Sequence, residues 1–360
     1  MITKEKISSF QLSTILIGFI LGDAILLIPS KSVKQNAWLP ILLASIGGII
    51  IICMYVYISK LNPQMTLVDI LCSSFGKFIG KIIAFFYLLY FLSLTAIILR
   101  TVGDYMVTVN YIQTPLFFIL SIITIVMIYD SKSGIEVMGR LAEITIPIML
   151  FLILLTIILI APRFQFKNIL PFIEDGFKPI LKTSFTMFTF PFGEVVVFLM
   201  IFPYLNNTKK LLKISILSVS LAGLTLLLVT MQSILTLGSN ILSRSLYPTH
   251  IVSSLVPGLI MEPLISINLL ISSGAQMIIL FFSCSLMVAQ IFKLDDHKPF
   301  VLPIGLLLVP LSCWFYDSIA EMEYISVEVL PYYAIIFQLI IPFIILIISL
   351  IKLKLKKQRI

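Results

Sequence analysis

Apolar runs of about 20 residues, separated by short polar and charged stretches, succeed one another from Phe10 to Ile351. At a helical rise of 1.5 Å per residue, each run covers the ~30 Å of hydrocarbon in a bilayer. The pattern predicts an all-α polytopic membrane protein with about ten transmembrane helices. The expected spans are Phe10–Pro29, Trp38–Ile58, Ile82–Val109, Pro115–Tyr129, Leu141–Ala161, Phe188–Pro203, Leu211–Leu237, Glu262–Phe292, Phe300–Tyr316 and Pro331–Ile351.

Two of these spans are interrupted. Span one reads FQLSTILIGFILGDAILLIP, with Gly18, Gly22 and Asp23 near its middle. Span six reads FTFPFGEVVVFLMIFP, with Pro191, Gly193 and Glu194. Proline and glycine inside a transmembrane helix are tolerated where the freed backbone groups find partners in protein or beside a water-lined cavity. A carboxylate inside hydrocarbon costs several kcal/mol unless paired, hydrated or protonated, which makes Asp23 and Glu194 functional candidates. The plainer alternative is a kinked helix with Glu194 in an internal pair. Corresponding breaks in two halves of a chain are the mark of transporters built on inverted repeats, with a ligand site at the bilayer midplane. We therefore expect one permease-like domain over 1–360, with a five-plus-five inverted repeat (about 10–161 and 180–351) and a basic cytoplasmic tail at 352–360.

Composition agrees. The chain is 59% hydrophobic and 12% charged, with a mean hydropathy of +1.12. The net charge of +8 does not point to nucleic acid, because the basic residues lie in short loops and at the end. With both termini cytoplasmic, 17 of the 25 Lys and Arg residues fall inside, 7 outside and Arg100 within a span, as the positive-inside rule requires. The outer segment 163–182 dissents with four basic residues. The first span resembles a signal peptide but is too long, contains Asp23 and lacks a cleavage motif, so it is expected to be retained.

Other features carry less. Cys53, Cys284 and Cys313 fall in spans and Cys72 in a loop, without metal spacing, so neither disulfide nor metal is expected. His250 and His297 read as solvated or interfacial residues near loops. Residues 63–81 predict an amphipathic helix on the cytoplasmic surface, or a re-entrant segment under the bundle. Arg100 and Asp104, four apart, share a helical face and are read as a structural ion pair, with gating as the alternative. Tyr90 is read as aromatic packing or as a hydroxyl offered to a central ligand. Residues 130–140 are expected as a charged inner loop, and 168–184 as an outer re-entrant or surface segment whose Glu174 and Asp175 line an entrance or are solvated. The stretch 317–331 carries four acids and no base, which suits the outer side. In span eight, Asn268, Ser272, Ser273 and Gln276 share one face, either lining a polar cavity or joining helices.

FQ near the start, LGDAILLIP, NILPFIEDGFKPI, FPFGEVVVFLMIFPYL and YPT, in that order, resemble the B subunits of spore germinant receptors, within the amino acid/polyamine/organocation permease superfamily. The resemblance implies a LeuT-like fold, a small-molecule pocket between spans one, three, six and eight, and partnership with a germinant receptor A subunit and a lipoprotein C subunit. It also implies that nutrients such as amino acids, sugars or nucleosides are sensed in the spore inner membrane. Two departures stand out: Gly22-Asp23-Ala24 replaces a common G-x-G, and Pro263 follows Glu262 where relatives carry a base. Asp23 at that position would repel an anionic group and attract an ammonium.

The ligand-lining candidates are therefore Gly22, Asp23, Tyr90, Thr189, Phe190, Gly193, Glu194, Asn268 and Ser272. The alternative function is an independent proton-coupled amino acid or polyamine transporter; a structural subunit with a vestigial cavity is a third. No nucleophile elbow, metal cluster or phosphate loop suggests an enzyme, and no cofactor is implied.

Overall fold

The computed structural model describes residues 5–174, 176–256 and 262–357, and no side chain at 262 or 356–357. Asp175, expected beside Glu174, lies outside the described residues, as does the side chain of Glu262. The chain is almost wholly helical. Among the described residues it has eight helices long and apolar enough to cross a membrane, a bent pair at the start, and a shorter apolar helix, Lys298–Trp314.

The first span is α1 (Ser9–Leu21) and α2 (Ala24–Leu27), with a helical turn, Pro29–Asn36, continuing beyond them. The Ser8 hydroxyl accepts from the Gln11 amide, and Gln11 answers at the Ser8 amide, so the first orphan donors of α1 are satisfied. Next come α3 (Trp38–Leu61), a short α4 (Leu67–Phe75) and α5 (Lys77–Tyr105). The short helix starts on a reciprocal Thr66–Asp69 cap and stops at Gly76, whose φ of 84° few other residues adopt. Its Leu67, Val68, Ile70 and Leu71 are buried, so it packs beneath the bundle. Cys72 sits on this helix rather than in a loop.

Helices α6 (Leu116–Ser133) and α7 (Ile135–Ile160) are separated by Gly134 alone, at φ 90°. The charged inner loop expected over 130–140 is thus two helix ends and one glycine. Glu5 helps close it, accepting from the Ile135 amide at 3.0 Å. The segment 168–184 also differs from expectation. Its later part is α8 (Phe177–Met187), the first half of span six itself. A distorted stretch, 188–197, then leads to α9 (Phe198–Ile201).

The remaining helices are α10 (Leu211–Arg244), kinked at Gly238, α11 (Pro248–Ser254), α12 (Glu262–Phe292) and α13 (Lys298–Trp314). The end of the chain holds α14 (Ile319–Tyr324), α15 (Leu330–Ile335) and α16 (Ile341–Lys357), joined by two wide helical turns into one continuous rod, Ile319–Leu355. The acidic stretch read as lying outside a span is therefore its helical beginning.

Two faces result. One carries Lys31, Glu323 and α11; the other, the tail face, carries the last turns of α16. At the tail face the starts and ends of the two broken spans are tied together. The Ile7 amide donates to the Tyr204 carbonyl at 2.9 Å, and Asn206 returns a bond to the Ile7 carbonyl at 3.0 Å. His297, at the start of α13, is buried against Phe282 rather than solvated.

Candidate functional site

The break in span one is made by Gly22 and Asp23. Gly22 has φ 34° and ψ −136°, where a side chain would be strained, and the chain bends by 41° between the two helical halves. Its carbonyl, freed from the helical ladder, accepts from the Ser272 hydroxyl of α12 at 2.7 Å. The break in span six spans 188–197, where Phe190 leaves helical geometry at φ −133°, ψ 119°. Each break places a carboxylate in the interior: Asp23 is 3% exposed and Glu194 4% exposed.

A cavity of about 230 Å³ joins the two breaks to the Lys31 face. Asp23, Tyr90, Thr186, Thr189, Phe190 and Glu194 line its deep end. Its body is mostly apolar, with Leu94, Ile97 and Ile98 of α5 opposite Met322, Val327, Leu330 and Ala334, and Thr101 and Ser326 among them. Lys31, Ser32, Ser243 and Glu323 stand at its mouth, where Lys31 Nζ meets Glu323 Oε1 at 2.6 Å. This is the ordinary composition of a small-molecule site: an apolar chamber with a few convergent polar groups.

Five of the nine candidate residues line this chamber: Asp23, Tyr90, Thr189, Phe190 and Glu194. Gly22, Gly193, Asn268 and Ser272 do not. Gly22 and Gly193 back onto neighbouring helices, where a Cβ would collide with Gln276 and Gln338 respectively. They permit close packing behind the breaks. Ser272 is consumed by the Gly22 carbonyl. Asn268 faces a separate cavity of about 20 Å³ with Gln232 and Thr249. The wall that was expected from span eight is supplied instead by α14, α15 and the turn between them.

Two glutamines carry more of the site than their sequence neighbours suggest. Gln276 Nε2 donates to Glu194 Oε2 at 2.8 Å. Gln338 Nε2 donates to the Tyr90 hydroxyl at 2.7 Å and to the Thr189 carbonyl at 2.9 Å. The Tyr55 hydroxyl bonds the Gln338 carbonyl and, at 3.4 Å, that of Gly193. Tyr90 also stacks on Phe337 with ring centroids 4.8 Å apart. Span ten is thereby locked onto the span-six break. The signal for Gln338 was present as a lone amide in IIFQLII, since polar groups in hydrocarbon are retained for a reason. By contrast, the Asp23 Oδ1 atom is buried without a hydrogen-bond partner among the described residues.

Arg100 and Asp104 form a pair apart from this chamber. Arg100 Nε lies 3.0 Å from Asp104 Oδ1, its Nη1 donates to the Ser312 and Cys313 carbonyls, and its guanidinium covers the Tyr316 ring at 5.0 Å. Nε and Nη1 are both engaged, as suits a structural pair in a low-dielectric setting.

The fold is shared with transporters of known structure. The closed, bromovinylhydantoin-bound form of Mhp1, a nucleobase-cation-symport-1 transporter, superposes with a TM-score of 0.70 at 12% identity, covering 92% of this chain and 76% of that one. MhsT in complex with L-phenylalanine gives 0.61 at 14% identity, covering 95% and 97%. The fold is that of LeuT-like permeases. In sequence, the profile of the family described as "Spore germination protein" matches residues 6–322. The chain belongs to that family. Within the spore germination proteins it is similar to protein KB of Bacillus subtilis (strain 168), 28% identical over 99% of this chain and 97% of the relative. Protein YndE of the same strain is 27% identical over 86% and 87%.

Proposed function

We propose that this chain is the membrane subunit of a nutrient germinant receptor, in which a small nutrient seated between the breaks of spans one and six triggers germination. The observation that carries the reading is the chamber itself, running from Asp23 and Glu194 to a mouth at Lys31 and Glu323. A ligand there contacts both broken helices and span ten at once. It shifts the equilibrium between receptor states only through a difference in affinity for them. The reading places the chain in the spore inner membrane, with both termini cytoplasmic and the mouth on the outer side. It assigns an A subunit and a lipoprotein C subunit as partners that read the change, and no catalysis to this chain.

One observation favours a second reading, proton-coupled transport of an amino acid or polyamine. Two buried carboxylates stand at the breaks, where a transported proton would be carried. The two readings separate in one comparison. Spores lacking this chain are complemented with wild type or with Ala334→Trp, which fills the chamber, at matched membrane levels. Loss of response to one nutrient class supports reception; an unchanged response in the deletion removes it. Uptake by the chain alone in vesicles, abolished by Glu194→Gln, supports transport.

A further inference from the structure

We propose that the chamber selects an organic cation: a small amine with an apolar body and no free carboxylate. This rests on the chamber being the nutrient site.

Charge is the first ground. Asp23 and Glu194 stand at the deep end and Glu323 at the mouth, against one cation, Lys31. Lys31 is already committed, to Glu323 at 2.6 Å and to the Ser245 carbonyl at 2.8 Å. A ligand carboxylate therefore meets three acids and would have to displace Glu323 from its partner. An ammonium meets the opposite situation.

The second ground is the unfilled valence at Asp23. Its Oδ1 is buried without a partner among the described residues, although most buried polar atoms in folded proteins have one. Glu194 receives one amide hydrogen from Gln276, and a carboxylate has room for several more donors. The Tyr90 and Thr189 oxygens add acceptors at the same end. An ammonium brings three donors and a positive charge to this place. Neutral hydroxyls also donate, but they bring no positive charge to the two buried carboxyl groups.

Size and shape complete the class. The 230 Å³ chamber is walled mainly by Leu94, Ile97, Ile98, Met322, Val327 and Leu330, with Thr101 and Ser326 as polar side chains among them, too few to hold every hydroxyl of a sugar. The body of the ligand is thus a short aliphatic or single aromatic group.

The test uses the full-length chain in detergent or nanodiscs, with ligand-induced thermal stabilisation as the readout. The probes are isopentylamine, L-leucine, 4-methylpentanoate and glucose, at up to ~10 mM, which exceeds a ~1 mM Kd tenfold. The expected result is a rise in melting temperature with isopentylamine, a smaller one with L-leucine, and none with 4-methylpentanoate or glucose. Asp23→Asn should weaken isopentylamine at least tenfold while leaving the melting temperature without ligand at or above that of wild type. No shift with the amine, or a larger one with L-leucine or 4-methylpentanoate, overturns the proposal. If glucose alone stabilises and Ala334→Trp abolishes its effect, the amine class fails while the chamber stands as the nutrient site. If Ala334→Trp leaves the amine's effect intact, the binding site is elsewhere and both readings fall.

Discussion

Adding one methyl group at each helix break should destabilise the protein for two separable reasons. Gly193 has ordinary helical backbone angles, φ −73° and ψ −28°, so alanine there meets no conformational penalty. Its Cβ would instead drive into the Gln338 carboxamide. That amide yields only by giving up its bonds to Tyr90 and Thr189. At about 1 kcal/mol per hydrogen bond, Gly193→Ala should cost about 2 kcal/mol. Gly22 differs. An alanine there would collide with Gln276, releasing its bond to Glu194, worth about 2 kcal/mol for a charged acceptor. It would also carry the strain of φ 34°, a further ~1–3 kcal/mol. Truncating each glutamine to alanine removes the collision but not the strain. In a Gln338→Ala background, Gly193→Ala should therefore be nearly silent; in a Gln276→Ala background, Gly22→Ala should still lower the melting temperature. The assay is thermal unfolding of the purified chain, read as two double-mutant cycles. An equal cost for Gly193→Ala with and without Gln338 would refute the reasoning.

Other outcomes follow from the same structure. Arg100→Met leaves Asp104 partly buried without its partner and should cost about 3–5 kcal/mol, seen as a lower melting temperature and yield; adding Asp104→Leu should recover much of it. Burial lowers the pKa of His297 below the usual imidazole value, an effect that Asp296, the Ser131 backbone and Glu5 oppose. The folded state thus holds this ring neutral while the unfolded chain protonates it, so stability is lost as pH falls below ~6.5. Melting temperature should drop between pH 7 and 5 more steeply in wild type than in His297→Asn. Finally, with the four native cysteines replaced, Ser243→Cys should react with an impermeant maleimide from the outer side, while cysteine at Asn207 should react from the inner side. The reverse result would invert the proposed orientation.

Hydropathy made most of the helices legible, because hydrocarbon imposes one length and one backbone solution on every span. The two breaks were legible for a local reason: glycine adjoins an acid in Leu21–Asp23, and proline, glycine and an acid coincide in Pro191–Glu194. What the pattern concealed was which helix faces which. Gln338 reaches Thr189 across 149 positions of chain and Gln276 reaches Glu194 across 82, and no local spacing encodes such pairs. The polarity of 317–331 likewise suggested a region outside the spans. Three of its four acids, Glu321, Glu323 and Glu328, lie on a helix that turns an apolar edge, Met322, Val327 and Leu330, into the chamber. Gly134 misled in the other direction, since one residue at positive φ replaced a loop expected over eleven positions, six of them polar or charged.

The rod from Ile319 to Leu355 has 37 residues and a length of about 55 Å. Its first turns face the chamber, and its last carry Lys352 and Lys354, with Lys352 bonded to the Ser73 carbonyl of α4. A tilt at the occupied end is consequently a displacement at the other, as with an oar pivoting in its lock. The Gln338 bonds to the span-six break are the fulcrum, 15 residues past Glu323 and 14 before Lys352. Under the proposed receptor function, occupancy of the chamber would be converted into movement at the opposite membrane surface without anything having to cross.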